Sequence, residues 1–440
     1  MGTIKSCLLH VIFILFTCFI NLILSNPNGY SAYNVSFESA DVPSGKITLF
    51  GTIFIPDTAS SARPVPGCVL IHGSGGNNRW EEGDGVRVFE DIAIKLATNG
   101  VAVLVYDKRN CHISPCMYQF CRDTTNNCVQ SLKLSLYDFL SDAQQAFYFL
   151  ANYSNRIDSN KLYIMGHSEG VTIGINLALN LLERHSQPSP KGLVLLMGVG
   201  VDFDLVLEYQ AKVQQPLFEK YLLDLRSQTS VTPQISAEIL RVTEILNVFN
   251  CITNVAVEQY NLIRQNRIPI DYSSIICYSG ATFPATNVST VNVSIQHGFY
   301  CPAKCGTSIC SKDLNIMECL IQCQISYSFD TCLSTAWANS QLQLGNDKQL
   351  TKSLEIMKRN NVSIMSINSQ TDLKVPPVVY QPLLQLIEKI YEKKSIRLFL
   401  NEVDGLTHSM TSKTSARNVD PIITEKITKF IEDLYVELYL

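Results

Sequence analysis

The chain has 440 residues, 46% of them hydrophobic and 17% charged, which is material for a large buried core and unlike a disordered or collagen-like composition. Lys and Arg total 35 against 39 acidic residues, a net charge of −4. No charge surplus recommends a nucleic acid or an anionic membrane as the main partner.

At the N-terminus, Lys5 precedes the apolar run CLLHVIFILFTCFINLIL at residues 7–24, and Ser25 and the polar Asn26-Pro27-Asn28-Gly29 follow. This is the layout of a secretory signal peptide, 1–25, cleaved after Ser25. An uncleaved anchor is the alternative, because about 18 apolar residues approach the length that spans a bilayer. Only then would the protein touch a membrane. Either route leads to a secreted or lumenal protein, in an endomembrane or lysosome-like compartment. Met1-Gly2-Thr3-Ile4-Lys5-Ser6 also matches a myristoylation pattern, but that modification belongs to cytosolic chains. Five Asn-x-Ser sequons, at Asn34, Asn152, Asn287, Asn292 and Asn361, fit the secretory route as N-glycan acceptors.

Alternation of apolar and polar positions between Ser36 and Pro56 predicts two early strands. Val69–Ile71 and Val101–Tyr106 are continuous apolar runs, as in strands buried on both faces. Between them, Val88–Thr98 has helical spacing, and Asn99-Gly100 supplies a stop. The alternation continues with a helix at Leu132–Tyr153, a strand at Lys161–Met165, a helix at Val171–Arg184 and a strand at Gly192–Met197. It resumes with a helix at Gln349–Arg359, a strand at Val362–Ile367, a helix at Val378–Lys393, a strand at Ile396–Leu400 and a helix at Pro421–Leu434. Strands separated by helices imply a mostly parallel sheet built from right-handed crossovers. The pattern predicts one α/β core, 26–201 and 346–440, interrupted by a small insertion at 110–131 and a cap at 202–345. Within the cap, helices are expected at Leu205–Leu225 and Ile235–Asn247, and Asp271–Cys310 reads as loop-rich.

The cysteines follow this division. Without Cys7 and Cys18, thirteen of the 15 remain, and Cys68 sits in an apolar run where a buried thiol acts as a small hydrophobe. Cys111, Cys116, Cys121 and Cys128 fall in the small insertion, and Cys251, Cys277, Cys301, Cys305, Cys310, Cys319, Cys323 and Cys332 in the cap. Even groups in an oxidising lumen read as disulfide frameworks of unassigned connectivity. Zinc is the rival, through the short spacings Cys301-x3-Cys305 and Cys319-x3-Cys323.

The strand KLYIM runs into Gly166-His167-Ser168-Glu169-Gly170, and a helix follows. This is a G-x-S-x-G nucleophile elbow in strand–turn–helix context, with Gly166 and Gly170 admitting the sharp turn and Ser168 as nucleophile. A serine hydroxyl needs a base. His185, His297 and His408 lie downstream, and His408, in a loop after the last strand, is the one placed to reach Ser168. The acid belongs just beyond the preceding strand, which selects Asp372; Asp404, only four residues from His408, reads as a loop-shaping residue. The oxyanion donors are expected at the backbone N–H groups of Ser74, in His72-Gly-Ser-Gly-Gly76, and of Glu169. His72 is left a part in shaping that loop. The Glu169 side chain reads as a helix N-terminal carboxylate, with a cationic part of a substrate as its other partner.

The runs GCVLIHGSGG, FEDIAIKLATNGVAVLVYDKRN, GHSEG and GLTHSM together resemble bacterial serine esterases of the α/β-hydrolase superfamily, over about residues 35–200 and 347–440. The resemblance implies the α/β-hydrolase fold, a Ser168, Asp372, His408 triad and hydrolysis of a small-molecule carboxylic ester through an acyl-enzyme, with no metal or organic cofactor. Acyl peptidases and thioesterases are among the relatives, so an aminopeptidase, acyl-peptidase or thioesterase activity is the runner-up. Two departures are Asn110, in place of the glycine after Asp107-Lys-Arg109, and Val171, in place of the second elbow glycine; Asp107 and Arg109 read as a structural pair. A non-catalytic binding protein on the same scaffold is the reading from another class.

Overall fold

The computed structural model describes residues 29–109, 135–184, 188–199, 203–228 and 340–437, with breaks of one to four residues, together with some positions between 232 and 246 and three strands between 274 and 301. The leader 1–25, the insertion 110–131 with its four cysteines, and most of the second cysteine group lie outside the described residues, as do His185 and His297.

The core is an eight-stranded sheet. Its strands in chain order are β1 (Tyr30–Glu38), β2 (Thr48–Pro56), β3 (Val65–Ile71), β6 (Ala102–Tyr106), β7 (Ile157–His167), β8 (Pro190–Leu196), β12 (Ser363–Asn368) and β13 (Leu398–Glu402). A two-residue ribbon, β4 (Glu82–Gly83) and β5 (Val86–Arg87), lies between β3 and the first helix. Across the sheet the order is β1-β2-β6-β3-β7-β8-β12-β13. β2 runs antiparallel to both β1 and β6, and every other neighbouring pair is parallel.

The side chains explain the burial. In β3, Cys68 and Leu70 face one layer and Val69 and Ile71 the other; in β7, Tyr163 and Met165 oppose Leu162 and Ile164. This period of two puts an apolar residue on each face of every central strand, so both faces must be covered. One face is covered by α2 (Leu136–Asn152), α3 (Glu169–Glu183), α5 (Asp347–Arg359) and α6 (Pro377–Tyr391), the other by α1 (Val88–Thr98) and α7 (Pro421–Glu437). The expected bounds of α1 are met to the residue, and Gly100 adopts φ +91°, a conformation that ends a helix without a Cβ penalty. At the start of α2 the Asp138 carboxylate accepts the Ser135 N–H at 2.7 Å, half of a capping box. Cys68 is fully buried, and burial pushes its thiol pKa up, as for an inert core cysteine.

Between β8 and α5 in the chain lie the helix α4 (Phe203–Arg226) and a small sheet, β10-β9-β11. The reading of Asp271–Cys310 as loop-rich is corrected there: β9 (Ser274–Tyr278) pairs antiparallel with β10 (Thr290–Ser294) and parallel with β11 (Tyr300–Cys301). The strands are short and framed by Ser, Gly and Asn, which hid the β-branched Ile275-Ile276 and the alternation of Val291 and Val293. The register sets Cys301 opposite Cys277. Among the described residues, no helix is long and apolar enough to cross a membrane.

Candidate active site

β7 stops at His167 and α3 begins at Glu169, with Ser168 alone between them. Ser168 makes the turn with φ +53° and ψ −119°, a conformation costly for a residue with a side chain, and its N–H donates to the Leu196 carbonyl at 2.9 Å. A Cβ on Gly166 would overlap the Gly170 carbonyl, and one on Gly170 would overlap that of Ile71. Both glycines are therefore required where strand and helix meet at a hairpin angle. Val171 is accommodated because Gly198, 3.0 Å from its methyl by a hypothetical Cβ, has no side chain.

His408 lies in a tight loop between β13 and α7. Thr407 N–H donates to the Thr411 carbonyl at 2.9 Å, and the hydroxyls of Ser369 and Thr371 both bind the Leu406 carbonyl at 2.9 Å. Those two residues belong to the turn after β12 that carries Asp372, so acid and base are tied together. His408 Nδ1 lies 2.8 Å from Asp372 Oδ2, while Oδ1 accepts the N–H groups of Lys374 at 2.8 Å and Val375 at 3.0 Å. Burial alone would raise the Asp372 pKa, but His408 and the two N–H donors hold it below the usual carboxylate range. The His408 pKa is lowered, first by burial and further by His167 and Lys374, against the opposing pull of Asp372. A neutral imidazole whose Nδ1 is bound to Asp372 has Nε2 left to take a proton, the tautomer a general base needs. Asp404 is exposed in the turn before His408 and makes no bond to its ring.

His167, the residue before the nucleophile, has a place of its own. Its ring lies 4.9 Å from that of His408, and Nε2 is 3.0 Å from the His408 carbonyl. Nδ1 faces Glu81 Oε1 at 3.1 Å, close enough for an ion pair though not aligned as a hydrogen bond. Burial disfavours the imidazolium, yet Glu81 and the His408 carbonyl outweigh it and raise the His167 pKa; the Glu81 pKa is lowered in turn, against burial, chiefly by His167. Glu81 adopts φ +46°, and its Oε1 also accepts the Gly73 N–H at 2.6 Å. His72 is neutral, its pKa lowered to about 4 mainly by burial, and packs between the Phe89 and Tyr106 rings beneath the loop.

The loop after β3 crosses the nucleophile: a Cβ on Gly73 would lie 3.0 Å from Ser168 Cβ. The structure thus brings the Ser74 backbone beside the elbow. The Glu169 carboxylate does not face a substrate; it is buried, 3.0 Å from Lys108 Nζ, and accepts Gln341 Nε2 at 2.8 Å. Asp107 and Arg109 do not pair with each other, which corrects that expectation. Asp107 forms a two-point pair with Arg79, at 3.1 and 2.6 Å, and Arg109 another with Asp142, at 2.9 and 2.7 Å. Chain proximity suggested one pair, whereas a loop and α2 each supply a closer partner. Glu81, Lys108 and His167 are the residues sequence reasoning missed; Lys108 lay inside Asp107-Lys-Arg109 and His167 inside the elbow motif, while nothing in the sequence marked Glu81.

The strand order and the elbow are those of the α/β-hydrolase fold. No family model matches the chain. Among curated proteins the chain is similar to esterase EstD of Thermotoga maritima, 30% identical over 182 residues, which are 41% of this chain and 37% of that one. The chain thus matches little more than a third of that relative's length. Solved structures that resemble it include a thermostable esterase from Pseudomonas putida (10% identity, 94% of this chain and 84% of the other, TM-score 0.43) and the α/β-hydrolase GrgF from Penicillium (12%, 92% and 98%, 0.43).

Proposed function

We propose that the protein hydrolyses carboxylic esters through an acyl-enzyme on Ser168. The observation that carries this reading is the 2.8 Å bond between His408 and a buried Asp372, with His408 packed on His167, the residue just before a serine on a strained elbow. His408 Nε2 takes the proton of Ser168 as Oγ attacks the ester carbonyl, and the N–H groups of Ser74 and Glu169 receive the oxyanion. The same imidazole, now an acid, protonates the leaving alcohol. It then draws a proton from water, which releases the acid and restores Ser168. The similarity to EstD, itself named an esterase, supports the choice of ester over amide. The backbone strain at Ser168 speaks against a binding protein on a hydrolase scaffold, for such strain is kept where a site uses it.

The N-terminal apolar run and the clustered cysteines support export with disulfides in the two insertions. Asn34, Asn152 and Asn361 are exposed, as glycan acceptors must be. Covalent labelling by a fluorophosphonate tests the mechanism. The wild-type protein should react, and Ser168→Ala and His408→Ala should not; an unreactive wild type refutes the reading. Turnover of short p-nitrophenyl esters above aminoacyl amides tests the substrate class.

A further inference from the structure

Lys108 follows β6 and is buried, with its side chain 5% exposed. A buried ammonium needs partners, and this one has three: the Gly73 carbonyl at 2.6 Å, Glu169 Oε1 at 3.0 Å and the Phe139 ring, 4.3 Å from Nζ to its centroid. Two of these partners belong to the residues that flank the expected oxyanion site. The Gly73 carbonyl and the Ser74 N–H are the two ends of one trans peptide unit, so they point in opposite directions. A cation that grips the carbonyl end therefore sets the direction of the N–H end and, by polarising the peptide, makes that N–H a better donor. Asn77 Nδ2 donates to the same carbonyl at 3.1 Å and to the Ser74 carbonyl at 2.9 Å. The Gly73 N–H, in contrast, is already committed to Glu81. The other contact of Lys108 reaches Glu169, whose own backbone N–H is the second expected donor.

We propose that Lys108 is a positioning residue for ester hydrolysis: it holds the Gly73–Ser74 peptide with its N–H toward the oxyanion and links that peptide to the Glu169 donor. The proposal rests on the hydrolase reading above. It accounts for a lysine buried at the end of β6, a place where neither a surface role nor the triad requires one. Arg109, the next residue, pairs with Asp142 and takes no part in it.

The experiment compares wild type, Lys108→Met and the double variant Lys108→Met/Glu169→Gln, in which the second change removes the buried charge the first leaves unpaired. With p-nitrophenyl acetate, kcat of the variants should fall about 30- to 100-fold while KM stays within about threefold, the pattern of a lost transition-state interaction. Affinity for a trifluoromethyl ketone, which forms a tetrahedral adduct on serine, should weaken by a similar factor. A variant merely loosened in structure would not couple the two losses. A folded double variant with kcat and ketone affinity within threefold of wild type overturns the inference and leaves the hydrolase reading standing. A wild type inert to ester and fluorophosphonate alike overturns that reading and the inference with it. Should neither Lys108 variant fold, Asn77→Ala, at a partly exposed residue, decides. It should lose about 5- to 10-fold in kcat with KM held, and unchanged kcat overturns the inference.

Discussion

Glu81→Gln should move the acid limb of the pH profile upward, and the size of the shift follows from the geometry. His167 titrates above the ordinary imidazole value because of Glu81, and His408 below it, so His408 loses its proton before His167 does and meets a charged neighbour as it does so. Their rings are 4.9 Å apart. At an effective dielectric of about 20 to 40, two unit charges at that separation repel by ~1.7–3.4 kcal/mol, which is ~1.2–2.5 pKa units on His408. The other charges acting on His408, Asp372 and Lys374, are unchanged by the substitution. With Gln at position 81 the anion is gone, burial then governs His167, and that ring becomes neutral. The Gly73 N–H keeps an acceptor in the amide oxygen. Without a neighbouring cation His408 holds its proton to higher pH, so kcat/KM measured with p-nitrophenyl acetate from pH 4 to 9 should show its acid limb displaced upward by about one to two units, above a little-changed plateau. A limb that stays in place, or moves down, would refute the assignment of a charged His167 beside the base.

Three further outcomes are expected. Asp372→Asn should leave the fold intact and lower kcat by about 10³- to 10⁴-fold, because an amide in place of the carboxylate no longer favours the tautomer with Nε2 unprotonated; steady-state kinetics with circular dichroism measures both. Arg109→Met strands the Asp142 carboxylate, whose partner and itself are each 1% exposed, and should cost about 3–5 kcal/mol in urea unfolding, most of it recovered in Arg109→Met/Asp142→Leu. Gly170→Ala drives a methyl into the Ile71 carbonyl and should destabilise by about 1–3 kcal/mol or more, read as a lowered thermal midpoint together with loss of fluorophosphonate labelling.

Much of the core could be read along the chain because local pattern and tertiary demand agree there. Val88–Thr98 has helical spacing and a glycine stop, and the folded helix has those limits. Ser168, Asp372 and His408 could be singled out as candidates because each follows a recognisable strand, and the order of strands dictates which strand ends lie side by side. Glu81 and Lys108 were not legible in that way. Glu81 comes from a loop with no periodicity, and its meaning arises only when that loop closes on His167; Lys108 acquires its role from a peptide 35 residues away in sequence. The same limit misled the pairing of Asp107 with Arg109, where sequence proximity was outweighed by Arg79 and Asp142, each able to offer two-point geometry. β9 to β11 were missed for a different reason: strands of two to five residues carry too few side chains for alternation to stand out.

One contact of α2 bears on how such a chain can change over time. Leu136 N–H, at the return from the small insertion, donates to Ser340 Oγ at 2.8 Å, and the next residue, Tyr137, bonds Gln343 Oε1 at 2.7 Å, at the return from the large one. The segments that follow the two expected insertions therefore meet at a shared joint, secured beneath by Arg109 with Asp142 and by Gln341 with Glu169. A joint of this kind works as a socket: whatever is spliced in beyond it can lengthen, shorten or be replaced while strands and elbow keep their register. It also couples the inheritance of the two pieces, since a graft that changes one return must still meet the other, and chimaeras exchanging both together should fold more readily than those exchanging one.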